Sequence, residues 1–540
     1  MKKSILYSGF FVGLALQGCG GGSSNSSDEQ LDAAAFMPGG ATTVSRSSSE
    51  TFSRPAVNLT FSENNTFALG DAEFERVQSS GDIGPLFNAT SCQGCHLKDG
   101  RGNPPPDQDT PMTSMFLRVS IGRDEINGVI PDPIYGGQIQ TFGVDTSQSA
   151  DGLPVHDGAL NGAGAVGEAF AFIEYQDVSG QYADGTEYRL QRPVYKLRDA
   201  SYGDFDPDAV FSPRVASSMQ GLGLLEAIEE GDILENADPE DRNGDGISGR
   251  ANFGFSVLSG QIEMGRFGWK ASTPTVLQQS FGAYLGDLGI TSSFLNEENC
   301  SPLQTACIQA AGDEDETFPR VDTRDFTLAI VEFYSQTLAV NQRDGFDVET
   351  QTFSEDIVRG QTLFNESGCV DCHTASFVTG EAEGSVLGQV NGFVLSPDVE
   401  PVEALSDQLI WPYSDLLLHD MGGECASVVR ETALGETCES GSECYWVIRC
   451  DGLADGRDDF LATGSEWRTA PLWNLGLVQV VNPQAGFLHD GRARTIEEAI
   501  LWHSGMTDSE QRSEAHESWQ AFIDMPAADR SDLLAFLQSL

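Results

Sequence analysis

A mainly α-helical chain built twice around one short pattern is the fold class this sequence predicts, and three observations carry it. Cys92-Gln93-Gly94-Cys95-His96 and Cys369-Val370-Asp371-Cys372-His373 repeat a C-x-x-C-H pentapeptide, one in each half of 540 residues. The flanks repeat as well, since Leu86-Phe87-Asn88-Ala89-Thr90-Ser91-Cys92 aligns without a gap on Leu363-Phe364-Asn365-Glu366-Ser367-Gly368-Cys369. Helical stretches stand before each pentapeptide (Asp71 to Val77; Ser354 to Phe364) and close each half (Thr323 to Val340; Asp529 to Leu540). In the last, Leu533, Leu534, Phe536, Leu537 and Leu540 make an apolar stripe near helical spacing, which reads as core packing.

The pentapeptide is the pattern of c-type haem attachment. Two thiols bond to the two vinyl groups of one haem, and the adjacent His supplies the proximal iron ligand. With 11 Cys and 7 His in the chain, chance would supply about 0.003 such pentapeptides. A pair of thioredoxin-like redox sites would not require His at both fifth positions. The sequence therefore predicts two covalently bound haem c groups, held by Cys92, Cys95 and His96 and by Cys369, Cys372 and His373. It also predicts two cytochrome c-like domains, 57–345 and 350–540, with their boundary in the polar segment Asn341 to Thr352. Both are longer than one haem needs. Within a Gly- and Tyr-rich insertion from Ile121 to Tyr195, Tyr135–Phe142 and Thr186–Leu190 read as short strands, a small β element among loop-rich insertions.

Residues 1–18 read as an export signal: Lys2 and Lys3, an apolar stretch from Ile5 to Leu16, then small residues, too short for a good membrane span. Leu16-Gln17-Gly18-Cys19 resembles the bacterial lipobox, which would make Cys19 a lipidated first residue; the plainer alternative is a cleaved signal with Cys19 incidental. Gly20, rather than Asp, after the lipid site resembles outer-membrane sorting. Residues 19–56 read as a flexible tether. The expectation is a periplasmic protein on a lipid anchor, with the membrane as a partner through its acyl chains.

A formal charge of −52 argues against nucleic acid as a partner and favours a basic electron-donor protein. In an oxidising compartment Cys300 and Cys307, and the group Cys425, Cys438, Cys444 and Cys450, read as three disulfides, the second group allowing three connectivities. Zinc is disfavoured because these spacings lack a C-x-x-C pair. Asp241, Asn243 and Asp245 stand at alternate positions before Gly246, a partial calcium-loop pattern with Asn252 where a bidentate Glu is usual; a weak Ca2+ site and a simple Asp/Gly turn both remain open.

The segments Phe267-Gly268-Trp269-Lys270-Ala271, Asp415 to Gly422, Trp467-Arg468-Thr469-Ala470-Pro471-Leu472 and Phe487 to Thr495 resemble the bacterial di-haem oxidoreductase family. That family is similar in turn to di-haem cytochrome c peroxidases and the methylamine-utilisation di-haem enzyme. The resemblance implies that Trp269 lies between the haems, either conducting electrons or only packing. It places Gln279, ten residues on, in a peroxide pocket, and an acid-base Glu ten further, where this chain has Gly289. Asp287 is the nearest carboxylate: it either moves a proton during peroxide cleavage or is a loop residue. Fourteen residues after His489 the resemblance puts a distal haem ligand, here His503 in place of Met, giving a bis-His iron of lowered potential. His419 competes for that role, or joins His489, Arg468, Arg492 and Arg494 near haem propionates. The first haem, with no further His until His156, is the candidate reactive one, capped if at all by Met112 or Met115; His156 and His516 receive no role.

Three functions are consistent with these residues. One is a peroxidase-like oxidoreductase reducing H2O2 or a related small oxidant. Another is a di-haem electron-transfer cytochrome without substrate chemistry. The third, by family context, is a haem protein serving periplasmic iron uptake.

Overall fold

The computed structural model describes residues 32–46, 49–79, 82–124, 128–144, 147–148, 154–155, 165–311, 322–439, 442–505 and 512–540. The export signal, Cys19 and His156 lie outside them.

Seven helices position the sites: α1 Phe61–Phe74, α2 Val276–Leu288, α3 Asp325–Thr337, α4 Glu355–Glu366, α5 Ile496–Trp502, α6 His516–Asp524 and α7 Ala527–Ser539. Helix α1 starts in a capping box, where Thr60 Oγ1 accepts from the Glu63 N–H and the Glu63 carboxylate accepts from the Thr60 N–H at 2.7 Å. Helix α2 starts on Thr275, whose hydroxyl accepts from Gln278 N at 3.1 Å, and stops at Gly289 in the left-handed region, φ +66°. Two helix pairs cross at glycines. A Cβ on Gly70 of α1 would stand 2.3 Å from Ile330 O of α3, and one on Gly360 of α4 would stand 2.0 Å from Asp532 O of α7. Each crossing thus requires the bare backbone.

The mainly α expectation is corrected by the strands. Helix makes up 27% and strand 21%, distributed over many small sheets. Strands β1 Met115–Ser120, β2 Phe170–Gln181, β3 Glu187–Arg198, β4 Val210–Val215, β5 Val429–Glu431 and β6 Tyr445–Arg449 build the larger part. β2 and β3 form a twelve-residue antiparallel ribbon, Phe170↔Arg198 to Gln181↔Glu187. β6 adds to it with Trp446↔Leu197 and Arg449↔Val194, and β5 pairs outside β6, giving the order β5-β6-β3-β2. The physical reason for the miss is that this sheet is completed by strands far away in sequence, which no local pattern encodes. β1 pairs separately with β4, from Met115↔Val215 to Ser120↔Val210.

Residues 31–540 cluster as one compact unit. One apolar cluster holds Phe67, Phe74 and Tyr334 with α2; another holds Phe364, Phe536, Trp467 and Phe522. The start of the described chain lies against this body: the Val44 N–H donates to Val340 O at 3.0 Å and Phe52 is fully buried. The disulfides are Cys300–Cys307, Cys425–Cys450 and Cys438–Cys444. Among the described residues no helix is long and apolar enough to cross a membrane.

Candidate haem sites

Both pentapeptides are folded alike. Each begins a single 3-10 turn, and the His96 and His373 N–H groups donate to Cys92 O and Cys369 O, each at 3.0 Å. Each imidazole packs on a phenylalanine of the preceding helix, His96 on Phe74 at 6.0 Å and His373 on Phe364 at 6.2 Å between ring centroids. Each Nδ1 meets a backbone carbonyl, Ser217 O at 2.7 Å and Tyr413 O at 2.8 Å. A carbonyl only accepts, so Nδ1 carries the proton and Nε2 keeps its lone pair for a metal. Burial lowers the pKa of His96 and takes that of His373 down to about 4, which keeps both rings in the neutral, ligating form. The four motif thiols are free of disulfides, and burial pushes Cys92 up to about 12 and Cys369 up to about 11. Two thiols and one neutral imidazole at each pentapeptide are the donor set a c-type haem needs.

The gapless repeat seen in the sequence is not repeated in space. Phe364 lies on α4, whereas Phe87 belongs to the two-residue strand Leu86–Phe87 and stacks on Phe142. The spatial counterpart of Phe364 is Phe74, and the crossing glycines Gly70 and Gly360 each precede it by four residues.

Around His373 lies a cavity of about 220 Å³ whose lining includes His503, Trp269, Arg468, His419 and His489. His503 caps the C-terminus of α5 and donates from Nδ1 to Ala499 O at 2.7 Å, so its Nε2 is likewise free. Burial lowers its pKa, and its field reaches His373. His419 is a different kind of histidine. Asp415 at 2.8 Å and Glu514 at 2.9 Å occupy both its nitrogens. Burial works to lower its pKa, but these carboxylates outweigh that and hold it well above the ordinary value, so it is a cation with no free lone pair. His489 stacks on Trp467 at 3.7 Å, and its buried Nε2 has no hydrogen-bond partner among the described residues. Of the three arginines expected near propionates, Arg468 lines the cavity, Arg492 is held by Asp490 at 2.7 Å, and Arg494 by Glu498. His516 is buried, with Nδ1 3.2 Å from Ser504 O.

Trp269 borders this cavity, donates from Nε1 to Val215 O at 2.9 Å and carries the Arg101 guanidinium 5.1 Å from its ring centroid. Arg101 follows the first pentapeptide closely, and Val215 lies two residues before Ser217, the partner of His96. The Trp269 indole is therefore tied to elements that hold both sites.

Near His96, Asp287 sits in the last turn of α2. Burial raises its pKa, and Arg118 and the Gln138 hydrogen bond pull it back down, with His96 adding to them. Gln138 Nε2 donates to Asp287 Oδ1 and to Gly286 O, both at 2.8 Å. Gln279 lies half-buried on the same helix, eight residues earlier and so about 12 Å along the axis. The glutamine at Asp287 is Gln138, which no local signal marks. Gly289 explains the missing Glu: a Cβ there would stand 2.4 Å from Leu86 O at φ +66°, so the helix end admits no side chain. Met112 and Met115 are buried in the apolar cluster of the β2–β3 sheet.

Asp241, Asn243 and Asp245 form exposed turns that they bond themselves: Asp241 Oδ1 accepts from Gly246 N, Asp245 Oδ1 from Ile247 N, and Asn243 Nδ2 donates to Asp245. Asn252 is elsewhere, buried and donating to Lys270 O. Among the described residues no group of three or more His, Cys, Asp or Glu is placed to hold a metal ion.

Two sites of this construction in one chain define a two-centre haem redox protein. The chain belongs to the family described as "Di-haem oxidoreductase, putative peroxidase", whose model matches residues 33–449 and 448–540. No curated protein sequence matches it. Among solved structures, Kuenenia stuttgartiensis hydrazine synthase, studied under 20 bar xenon, aligns over 99% of this chain and 100% of its own at 12% identity. Its TM-score of 0.30 is too low to carry a fold assignment.

Proposed function

We propose that the protein is an exported di-haem c oxidoreductase of peroxidase type, reducing H2O2 or a related small oxidant. A lipid on Cys19 anchors it to the outer membrane, and a basic periplasmic donor supplies the electrons. The observation that carries this reading is the asymmetry of the two sites. The cavity at His373 offers two neutral imidazoles, His373 and His503, each with a free Nε2, which would let both hold a haem iron and suits an electron-relay centre. At His96 the described partners are a carboxylate and an amide instead, Asp287 and Gln138, which suit a proton-handling substrate side.

Haem iron would supply the redox change at each site. Ser217 and Tyr413 orient the ligating imidazoles. Asp287, raised by burial and steadied by Gln138, takes a proton from one peroxide oxygen and returns it to the other. Trp269 spans the interval between the sites, and Arg468 and His489 present donors to the second haem's carboxylates. Gly289, at the position where the di-haem cytochrome c peroxidases carry an acid-base Glu, favours the second reading, an electron carrier without substrate chemistry.

Electron paramagnetic resonance of the haem-loaded full chain, oxidised and half-reduced, separates the two. The enzyme shows one high-spin ferric centre whose signal is lost on adding H2O2. Two low-spin centres in both states, inert to peroxide, would leave only the carrier.

A further inference from the structure

The cavity around His373 inverts the charge of the chain that builds it. The protein has 82 Asp and Glu against 30 Lys and Arg, yet no carboxylate is among the side chains that line this cavity, while two guanidiniums are, Arg101 and Arg468. The other charged group on its wall, His419, is balanced by Asp415 and Glu514. Among the described residues neither arginine makes an ion pair. The carboxylates whose charge reaches them are committed elsewhere, Asp490 to Arg492 and Tyr195, Asp415 to His419. Backbone carbonyls take some of their N–H groups, Leu488 O from Arg101, Gly268 O and Thr469 O from Arg468, each of the latter two at 3.1 Å. A carbonyl dipole does not cancel a full charge, and burial, which lowers both pKa values to about 10, leaves both cations at neutral pH. Two cations taken out of water without counter-ions are strongly unfavourable until an anion joins them. Both also touch one residue: the Arg101 guanidinium lies 5.1 Å from the Trp269 ring centroid, and the Arg468 N–H donates to Trp269 O at 3.0 Å. Arg101 stands five residues after His96, in the first half of the chain, and Arg468 in the second.

We infer that Arg101 and Arg468 are a paired carboxylate clamp for the second haem, one guanidinium to each of its two propionates, so that this haem is held by both halves of the chain. The inference deepens the proposed function and rests on its haem at His373, not on its oxidant. Two carboxylates match the two guanidiniums in number and in sign, and the planar fork of a guanidinium fits a carboxylate. His489 can donate a hydrogen bond to a carboxylate but brings no charge, since burial takes its pKa down to about 4. Arg101 is in this scheme a positioning residue. It joins the loop that carries the first pentapeptide to the second haem, with Trp269 against its guanidinium, and its charge favours the reduced form of that haem.

The test is a redox titration of the haem-loaded full chain, followed by the low-spin resonance of the second haem, with resonance Raman of the propionate bending band alongside. Wild type is compared with Arg101→Gln, Arg101→Lys and Arg468→Gln. R101Q and R468Q are each expected to shift the reduction equilibrium of the second haem about tenfold toward the ferric form, about 59 mV for one electron, and to move its propionate band. R101K, which keeps the charge, should stay near the wild-type midpoint. The two neutral variants come from different halves, so if one fails to fold the other decides. A wild-type midpoint and propionate band in R101Q and R468Q would overturn the inference, and so would a shift in R101Q that R101K does not restore. A wild type carrying no covalent haem on Cys369 and Cys372 by mass spectrometry would overturn the second haem and the clamp together. The expected shifts in a protein inert to H2O2 would support the clamp and overturn the peroxidase reading alone.

Discussion

The two pentapeptide sites share the supports of their motif histidine and almost nothing of its wider surroundings. Behind His96 and His373 stand a phenylalanine one helix away, a glycine-mediated helix crossing and a backbone carbonyl on Nδ1. Their surroundings differ: His503, on a short helix, lines the same cavity as His373, whereas Asp287, whose charge reaches His96, is bonded by Gln138, which bridges to Arg118. The difference teaches that what supports each motif histidine and what surrounds it are specified by separate parts of the chain. The supports are local and duplicated. The surroundings are gathered from across the sequence and differ.

The strongest way to break the comparison is to remove Asp287, the proposed proton handler. Asp287→Asn is expected to cut peroxide turnover by about 10²- to 10⁴-fold in steady-state assays while the second haem keeps its low-spin spectrum; unchanged turnover would reduce Asp287 to packing. Next in size is the Cys425–Cys450 bridge beside the shared sheet. Replacing both with Ser should lower stability by about 3 kcal/mol in urea unfolding, with both haem environments lost in a single transition. Separate transitions would show that the sites stand on independent supports.

Introducing the peroxidases' Glu is a sharper probe with a smaller effect. Gly289→Glu should cost about 1–3 kcal/mol through its left-handed backbone and the contact with Leu86 O, and it should not rescue D287N. Rescue would mean the helix end can rebuild. A last probe, spread over several pH units, concerns Glu168, which accepts from Gln140 N at 2.6 Å and Gln304 Nε2 at 2.5 Å; Gln140 in turn donates to Gly286 O beside Asp287. Burial pushes Glu168 from 4.5 up to about 8. The folded state therefore holds a proton that the unfolded state releases, and stability is full below pH 4.5 and falls as pH rises toward 8. Glu168→Gln should flatten that slope by about 1 kcal/mol per pH unit, read as Tm against pH.

What was legible in the sequence follows the same division. The pentapeptides announce themselves because haem attachment fixes residue type and spacing within a few positions, whereas His503 was reached only through the resemblance, by its distance from His489. Asp287 was legible only as the nearest carboxylate to a missing Glu. Gln138 and Arg118 were not legible, since a glutamine and an arginine in an extended stretch carry no local mark and meet Asp287 only through tertiary structure. The carbonyls of Ser217 and Tyr413 belong to the backbone and leave no trace in residue identity. The gapless flank repeat misled for a related reason: the same Leu-Phe-Asn triplet closes helix α4 in one half and enters a strand in the other, because the surroundings, not the triplet, decide its conformation.

The sheet order β5-β6-β3-β2 also constrains how the molecule comes into being. The β2–β3 ribbon is synthesised early, but the edge of β3 that receives Trp446 to Arg449 stays naked until most of the chain exists. An uncovered strand edge is a template for wrong pairing, and closing a contact over so long a stretch is slow. A fragment ending near residue 345 would carry that edge permanently, so a stable one-haem version of this protein cannot be obtained by cutting it in half.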